Sequence, residues 1–92
     1  MAITSASEFE AVLSRIHIRI SKRIDQLRDA QKLRDARRRL AEIEELARDN
    51  VRLKAKREEL SEAAKVVRTE MPKDAEMSHL LWDLMDFIDY RC

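Results

Sequence analysis

Residues 7–71 read SEFEAVLSRIHIRISKRIDQLRDAQKLRDARRRLAEIEELARDNVRLKAKREELSEAAKVVRTEM, 65 positions without a glycine or a proline. Alanine, leucine, arginine, lysine and glutamate dominate the stretch, and these residues lose least on entering a helix. Drawn as one helix it would be roughly 98 Å long. Two serines at its start, Ser5 and Ser7, are each followed three positions later by a glutamate, Glu8 and Glu10. Either pair makes a capping box, so a helix is expected to start near residues 6–8.

The apolar stripe along this run changes face. Phe9, Leu13, Ile16, Ile20, Ile24 and Leu27 recur every three or four positions and hold one straight stripe. Leu27, Ala30, Leu33 and Ala36 are then spaced by threes, which swings the stripe by roughly 60° at each step. Leu33, Ala36, Leu40, Ile43 and Ala47 end on nearly the opposite face, and Leu53, Leu60, Ala64, Val67 and Met71 form a third stripe. A uniform coiled coil keeps its seam on one face. Either the chain bends or breaks near residues 28–32 and again near Asp49 and Asn50, residue types that favour caps and turns, or different partners cover its different faces.

Proline biases the residue before it out of the helical region, so Pro72 ends the run at Met71. Asp74 suits the N-cap of a short final helix carrying Met77, Leu80, Leu81, Leu84, Met85 and Ile88, with Trp82 and Phe87 adding bulk. Asp83, Asp86 and Asp89 mark its wet side, and the rest is too apolar to stand alone in water. The sequence thus predicts an all-α protein. A tail (1–6) precedes a long helix or antiparallel, coiled-coil-like hairpin (7–71, with a break near 49–50), and a C-terminal amphipathic helix follows (72–92).

Charged residues make up 40 % of the 92 residues and aromatics 4 %, the composition of long helices rather than of a large globular core. Small helical chains commonly complete a core by oligomerising. Dimerisation into a helical bundle is accordingly expected, with Phe9, Leu13, Ile16, Ile20, Ile24, Leu27, Leu40, Ile43, Leu53, Leu60 and Val67 at its core. The one cysteine, Cys92, excludes an intrachain disulfide and fits a reducing compartment. With no apolar run approaching a membrane span and no secretory signature in the first residues, a cytoplasmic or nuclear location is expected, away from membranes.

Net charge is +1 but uneven: residues 15–39 hold ten Lys/Arg against three aspartates, a local +7, and residues 74–89 hold five acids and no Lys or Arg. The basic segment, through Arg15, Arg19, Lys22, Arg23, Arg37, Arg38 and Arg39, offers sequence-independent contact to an RNA or DNA backbone. A basic-zipper reading of Leu46, Leu53, Leu60 and Val67 fails, because Ala36 and Arg28 stand where such proteins carry arginine and asparagine. Glu76-x-x-His79 is half of a carboxylate-bridged di-metal motif, and its second copy is missing. Ser14 with His17 and Ser78 with His79 have no acid at useful spacing, so neither catalysis nor a cofactor or metal site is expected.

The reading these observations favour is a non-enzymatic helical scaffold or adaptor that forms homodimers. Its final helix, through Leu81, Trp82, Leu84, Met85 and Ile88, either closes the core or enters a groove on a protein partner. Nucleic-acid backbone binding by residues 15–39 is the alternative.

Overall fold

The computed structural model describes residues 3–90 with their side chains and residue 91 by its backbone. Cys92 and the first two residues of the expected tail lie outside the described residues. In place of one rod or one hairpin, the chain forms α1 (Ala6–Asp25), α2 (Gln31–Glu44), α3 (Asn50–Ala55), α4 (Arg57–Glu70) and α5 (Ala75–Arg91).

Local chemistry explains each boundary. The Ser5 hydroxyl accepts the Glu8 N–H at 3.2 Å, so the first of the two capping pairs starts α1. The Glu8 carboxylate reaches back to the Thr4 N–H at 3.3 Å, one residue short of the ordinary box. Both swings of the apolar stripe coincide with chain reversals. At the first, the Gln26 and Leu27 N–H groups bond the Arg23 and Ile24 carbonyls at 3.0 and 3.1 Å, tightening the helix end into a 3₁₀-type turn. At the second, Leu46 and Ala47 do the same to Ile43 and Glu44, at 3.0 and 3.1 Å. No described residue has positive φ, so Asn50 does not stop the helix by a left-handed turn. Asp49 caps α3 instead, accepting the Arg52 N–H at 3.2 Å. Met71, before Pro72, leaves the helical region at φ −129°, ψ 58°.

The helices close into a ring. α1 packs against α2 and α5, α4 packs against the same two, and short α3 lies against α4 and α5. Neighbours run antiparallel. Arg37 meets Ser21 and Arg48 meets Glu10 along the α1–α2 seam, while Phe9 meets Phe87 and Arg19 meets Asp74 along the α1–α5 seam. Arg39 lies as far before the end of α2 as Glu62, its partner, lies after the start of α4. The result is an up-down-up-down bundle 37 Å long, far from a 98 Å rod, with a radius of gyration of 12.4 Å. A globular chain of this length is expected at about 12.3 Å.

Folding back at both swings turns three separate stripes toward one axis. Phe9, Leu13, Ile16, Ile20, Ile24, Leu40, Ile43, Leu53, Leu60 and Val67 are all buried within one chain, and Leu27 is partly buried against them. The core that composition alone suggests is too poor to complete is closed by α5, whose Met77, Leu80, Leu81, Leu84, Met85, Phe87 and Ile88 are buried. The Leu46–Val67 leucine series does not form a seam: breaks at 45–49 and at Lys56 divide it among separate elements, and Arg57 pairs with Asp89.

Ile16 is fully buried and Ile18, two positions along, is 55 % exposed. Ile16→Ala is expected to cost about 2–5 kcal/mol and Ile18→Ala less than about 0.5 kcal/mol, as read by urea denaturation followed by circular dichroism. Truncation after Met71 is expected to abolish cooperative unfolding and cause aggregation. A soluble, equally helical fragment would contradict the placement of α5 in the core.

Candidate protein-interaction surface

α5 has two faces. Met77, Leu81, Leu84 and Ile88 are fully buried. Ala75, His79, Trp82, Asp86 and Tyr90 are exposed and fall within an arc of about 80°, nearly opposite that core stripe. Trp82 is 54 % and Tyr90 83 % exposed. Of the residues that the sequence nominates for partner contact, then, only Trp82 faces outward; Leu81, Leu84, Met85 and Ile88 are buried and help hold the bundle together. His79, Asp86 and Tyr90 escape that nomination. The helical wheel would find them, because Asp86 marks the wet side and the other two stand beside it.

Trp82 is held in place. The Arg68 guanidinium of α4 lies 5.6 Å from the centre of its ring, a cation–π arrangement. Arg68 Nη1 is buried without a hydrogen-bond partner, so the guanidinium meets the ring with one N–H otherwise unpaired. A positioned ring presents contact area with little further loss of freedom on binding. At the C-terminal end of α5, Tyr90 rims a shallow cleft of about 560 Å³ with Thr4, Ala47 and Asn50, and α3 carries the exposed Val51.

α5 is fixed in register by arginines of α1 and α4. Arg19 grips Asp74 with two bonds, Nε to Oδ2 at 3.0 Å and Nη2 to Oδ1 at 2.8 Å. Arg15 and Arg19 reach Glu76 at 2.6 and 3.0 Å, and Arg57 binds both oxygens of Asp89 at 3.0 and 3.2 Å. Asp74 also accepts the Met77 N–H at 3.0 Å, capping α5 as its position after Pro72 implies. The hydrogen bonds from Arg19, opposed by partial burial and helped by the Met77 amide, hold the Asp74 carboxyl below the usual carboxylate range. Arg57 does the same to Asp89. The cleft of about 800 Å³ beside Asp74 mixes Arg19, Lys22, Arg23 and Lys73 with Glu70, Asp74 and Glu76. With bases and acids interleaved, it offers no strong field for an anion.

These pairings also bear on the basic segment. Arg15 and Arg19 face α5, Arg23 bonds Gln26 at 3.2 Å, Arg37 donates to Ser21 at 2.9 Å, and Arg39 faces Glu62 on α4 at 3.7 Å. Lys22 and Arg38 are exposed. The seven residues nominated for nucleic acid are therefore dispersed over three sides of the bundle instead of converging. Glu76, the carboxylate of the half di-metal motif, is held by two arginines. No group of three or more His, Cys, Asp or Glu gathers among the described residues. No described helix is long and apolar enough to cross a membrane.

Asp74→Ala removes both a cap and a clamp and is expected to cost about 1 kcal/mol at neutral pH. Asp74→Asn keeps an oxygen for the Met77 amide but loses the charge. Because the folded carboxyl titrates lower than the unfolded one, its stabilisation is fully present above about pH 4 and is lost as pH falls through the depressed value. Urea titrations at pH 7 and pH 3 should show the wild type losing more stability on acidification than Asp74→Asn does. Equal acid losses would show that the Arg19 pair contributes nothing. No protein-family model, curated protein or solved structure matches this chain.

Proposed function

We propose that the protein is a non-enzymatic protein–protein interaction module: a self-contained helical bundle that presents the outer face of α5 to another protein, most simply a second copy of itself. One observation carries the reading. The chain has four aromatic side chains in 92 residues. Phe9 and Phe87 pack on each other in the core, whereas Trp82 and Tyr90 both stand on the solvent face of one helix. In a chain so poor in aromatics, each exposed ring leaves the core without a large apolar group. Trp and Tyr are also the residues on which binding energy concentrates at protein interfaces.

Association is expected to depend on those rings and not on the core. Trp82→Ala combined with Tyr90→Ala should leave helicity and the unfolding midpoint close to wild type and abolish association in light scattering. Association unchanged in the doubly substituted protein would remove this surface from consideration.

A second reading, sequence-independent binding to an RNA or DNA backbone, draws on Lys22, Arg34 and Arg38, which are exposed and face no acidic partner among the described residues. Mobility-shift titrations on duplex RNA and DNA at rising salt distinguish the two. Retardation at low salt that Arg34→Glu with Arg38→Glu abolishes would put this reading first, and no retardation at low salt would end it.

A further inference from the structure

The exposed ridge of α5 is self-complementary about a two-fold axis. Its residues are Ala75, His79, Trp82, Asp86 and Tyr90, all on the face that the bundle leaves uncovered. Two copies of a helix packed antiparallel about an axis passing between residues 82 and 83 bring each position against the one equally far on the other side. Ala75 then meets Tyr90 of the second copy, so the smallest side chain of the ridge receives the longest ring. His79 meets Asp86, a donor against a carboxylate, and this contact occurs twice. The two Trp82 rings meet beside the axis, each backed by its own Arg68. Both the size pattern and the polar pattern are satisfied by the same register, as an isologous interface requires.

We infer that the outer face of α5 is a homodimer interface in which two α5 helices pack antiparallel in this register. Such a dimer rests on the proposed role of α5 as the interaction surface, and adds the occupant and its geometry. Among the described residues the large exposed apolar side chains are Ile18, Val51, Trp82 and Tyr90. Two of the four are on this ridge, and Val51 is on α3, which packs against α5. Charge supports the same occupant. A second copy in a parallel arrangement would stack Asp86 on Asp86, whereas the antiparallel register replaces that repulsion with two His79–Asp86 contacts. Asp83, one heptad after Glu76 and one before Tyr90, borders the ridge on its α1 side, about 20° from Tyr90 around the helix, so its carboxylate flanks the Trp82 pair beside the axis. The ridge spans about 22 Å. One helix face of that length falls at the small end of specific interfaces, so the dimer is expected to exchange at micromolar concentrations.

Paired charge reversals test the register. Asp86→Lys sets an introduced cation against His79 twice, and His79→Glu sets an introduced carboxylate against Asp86 twice. Each variant alone should therefore be monomeric at about 10.9 kDa where the wild type sediments at twice that mass. Mixed in equal amounts, the two variants form a heterodimer with one original His79–Asp86 contact and one contact between the introduced glutamate and the introduced lysine. Dimer mass should then return. All these positions are on the surface, and each variant is expected to keep the wild-type circular dichroism spectrum. The single tryptophan gives a second readout: its emission should shift to shorter wavelength as wild-type protein is concentrated and stay constant in each single variant.

A wild type that stays monomeric to millimolar concentration overturns the inference. So does a mixture that remains monomeric. If both charge variants stay dimeric while Trp82→Ala with Tyr90→Ala is monomeric, this register is overturned and the role of the ridge survives. If that double alanine variant still dimerises, both fail.

Discussion

The apolar face of α5 has to be covered, and most of the architecture derives from that need. Met77, Leu81, Leu84 and Ile88 are fully buried and Leu80, Met85 and Phe87 nearly so. Each such side chain contributes roughly 1.5–3 kcal/mol when removed from water. The ion pairs along α5 are partly exposed, so solvent screening keeps their contribution small beside that burial. Burial therefore holds α5 in place, while Arg15, Arg19 and Arg57 select the register in which it lies. α1 and α4, with short α3 beside them, form the trough that receives it, and they can do so only because the chain reverses at 26–30 and 45–49.

Those reversals are made without glycine and without a left-handed residue. A 3₁₀-type tightening ends α1 and α2; Asp29, just before Ala30 at the N-cap of α2, accepts the Gln31 N–H at 3.2 Å, and Asp49 caps α3 by accepting that of Arg52. Turns of this kind leave little signature in composition. They surface instead in the apolar pattern, since a helix that must present a new face to the same core shifts its stripe where it turns. The swing at Leu27–Ala36 is the imprint of a fold-back, and the helical alphabet around it conceals the stop.

Much of the fold is legible on those terms. The all-α class, the Ser5–Glu8 start, the Pro72 stop, the Asp74 cap and the apolar stripes can all be read from spacing. What spacing does not supply is the identity of the partner for each stripe. A stripe records that a face is covered and is silent on whether the cover is the same chain or another; Phe9 and Leu53 look alike in either case. The same ambiguity affects the charges. Arg15 and Arg19 read as phosphate ligands until Asp74 and Glu76, some 55–61 positions away, are found opposite them. On α5 bulk alone groups the largest apolar residues as contact residues, although the wheel divides them, with Leu81 and Leu84 inward and Trp82 outward.

The bundle and its outer ridge thus have separate duties. A core closed within one chain leaves the surface free to vary, and α5 serves both, with its inner face as the fourth wall and its outer face as the place where aromatic rings meet solvent. This closure is made within one chain. It is tested most directly by isotope-filtered nuclear Overhauser spectra on an equal mixture of labelled and unlabelled protein. Phe9 and Phe87 have ring centroids 5.0 Å apart, so their cross-peaks should appear in the spectrum selecting contacts within a chain and be absent from the one selecting contacts between chains. Cross-peaks confined to the intermolecular spectrum would mean that α5 closes the core of another copy, and would contradict the account.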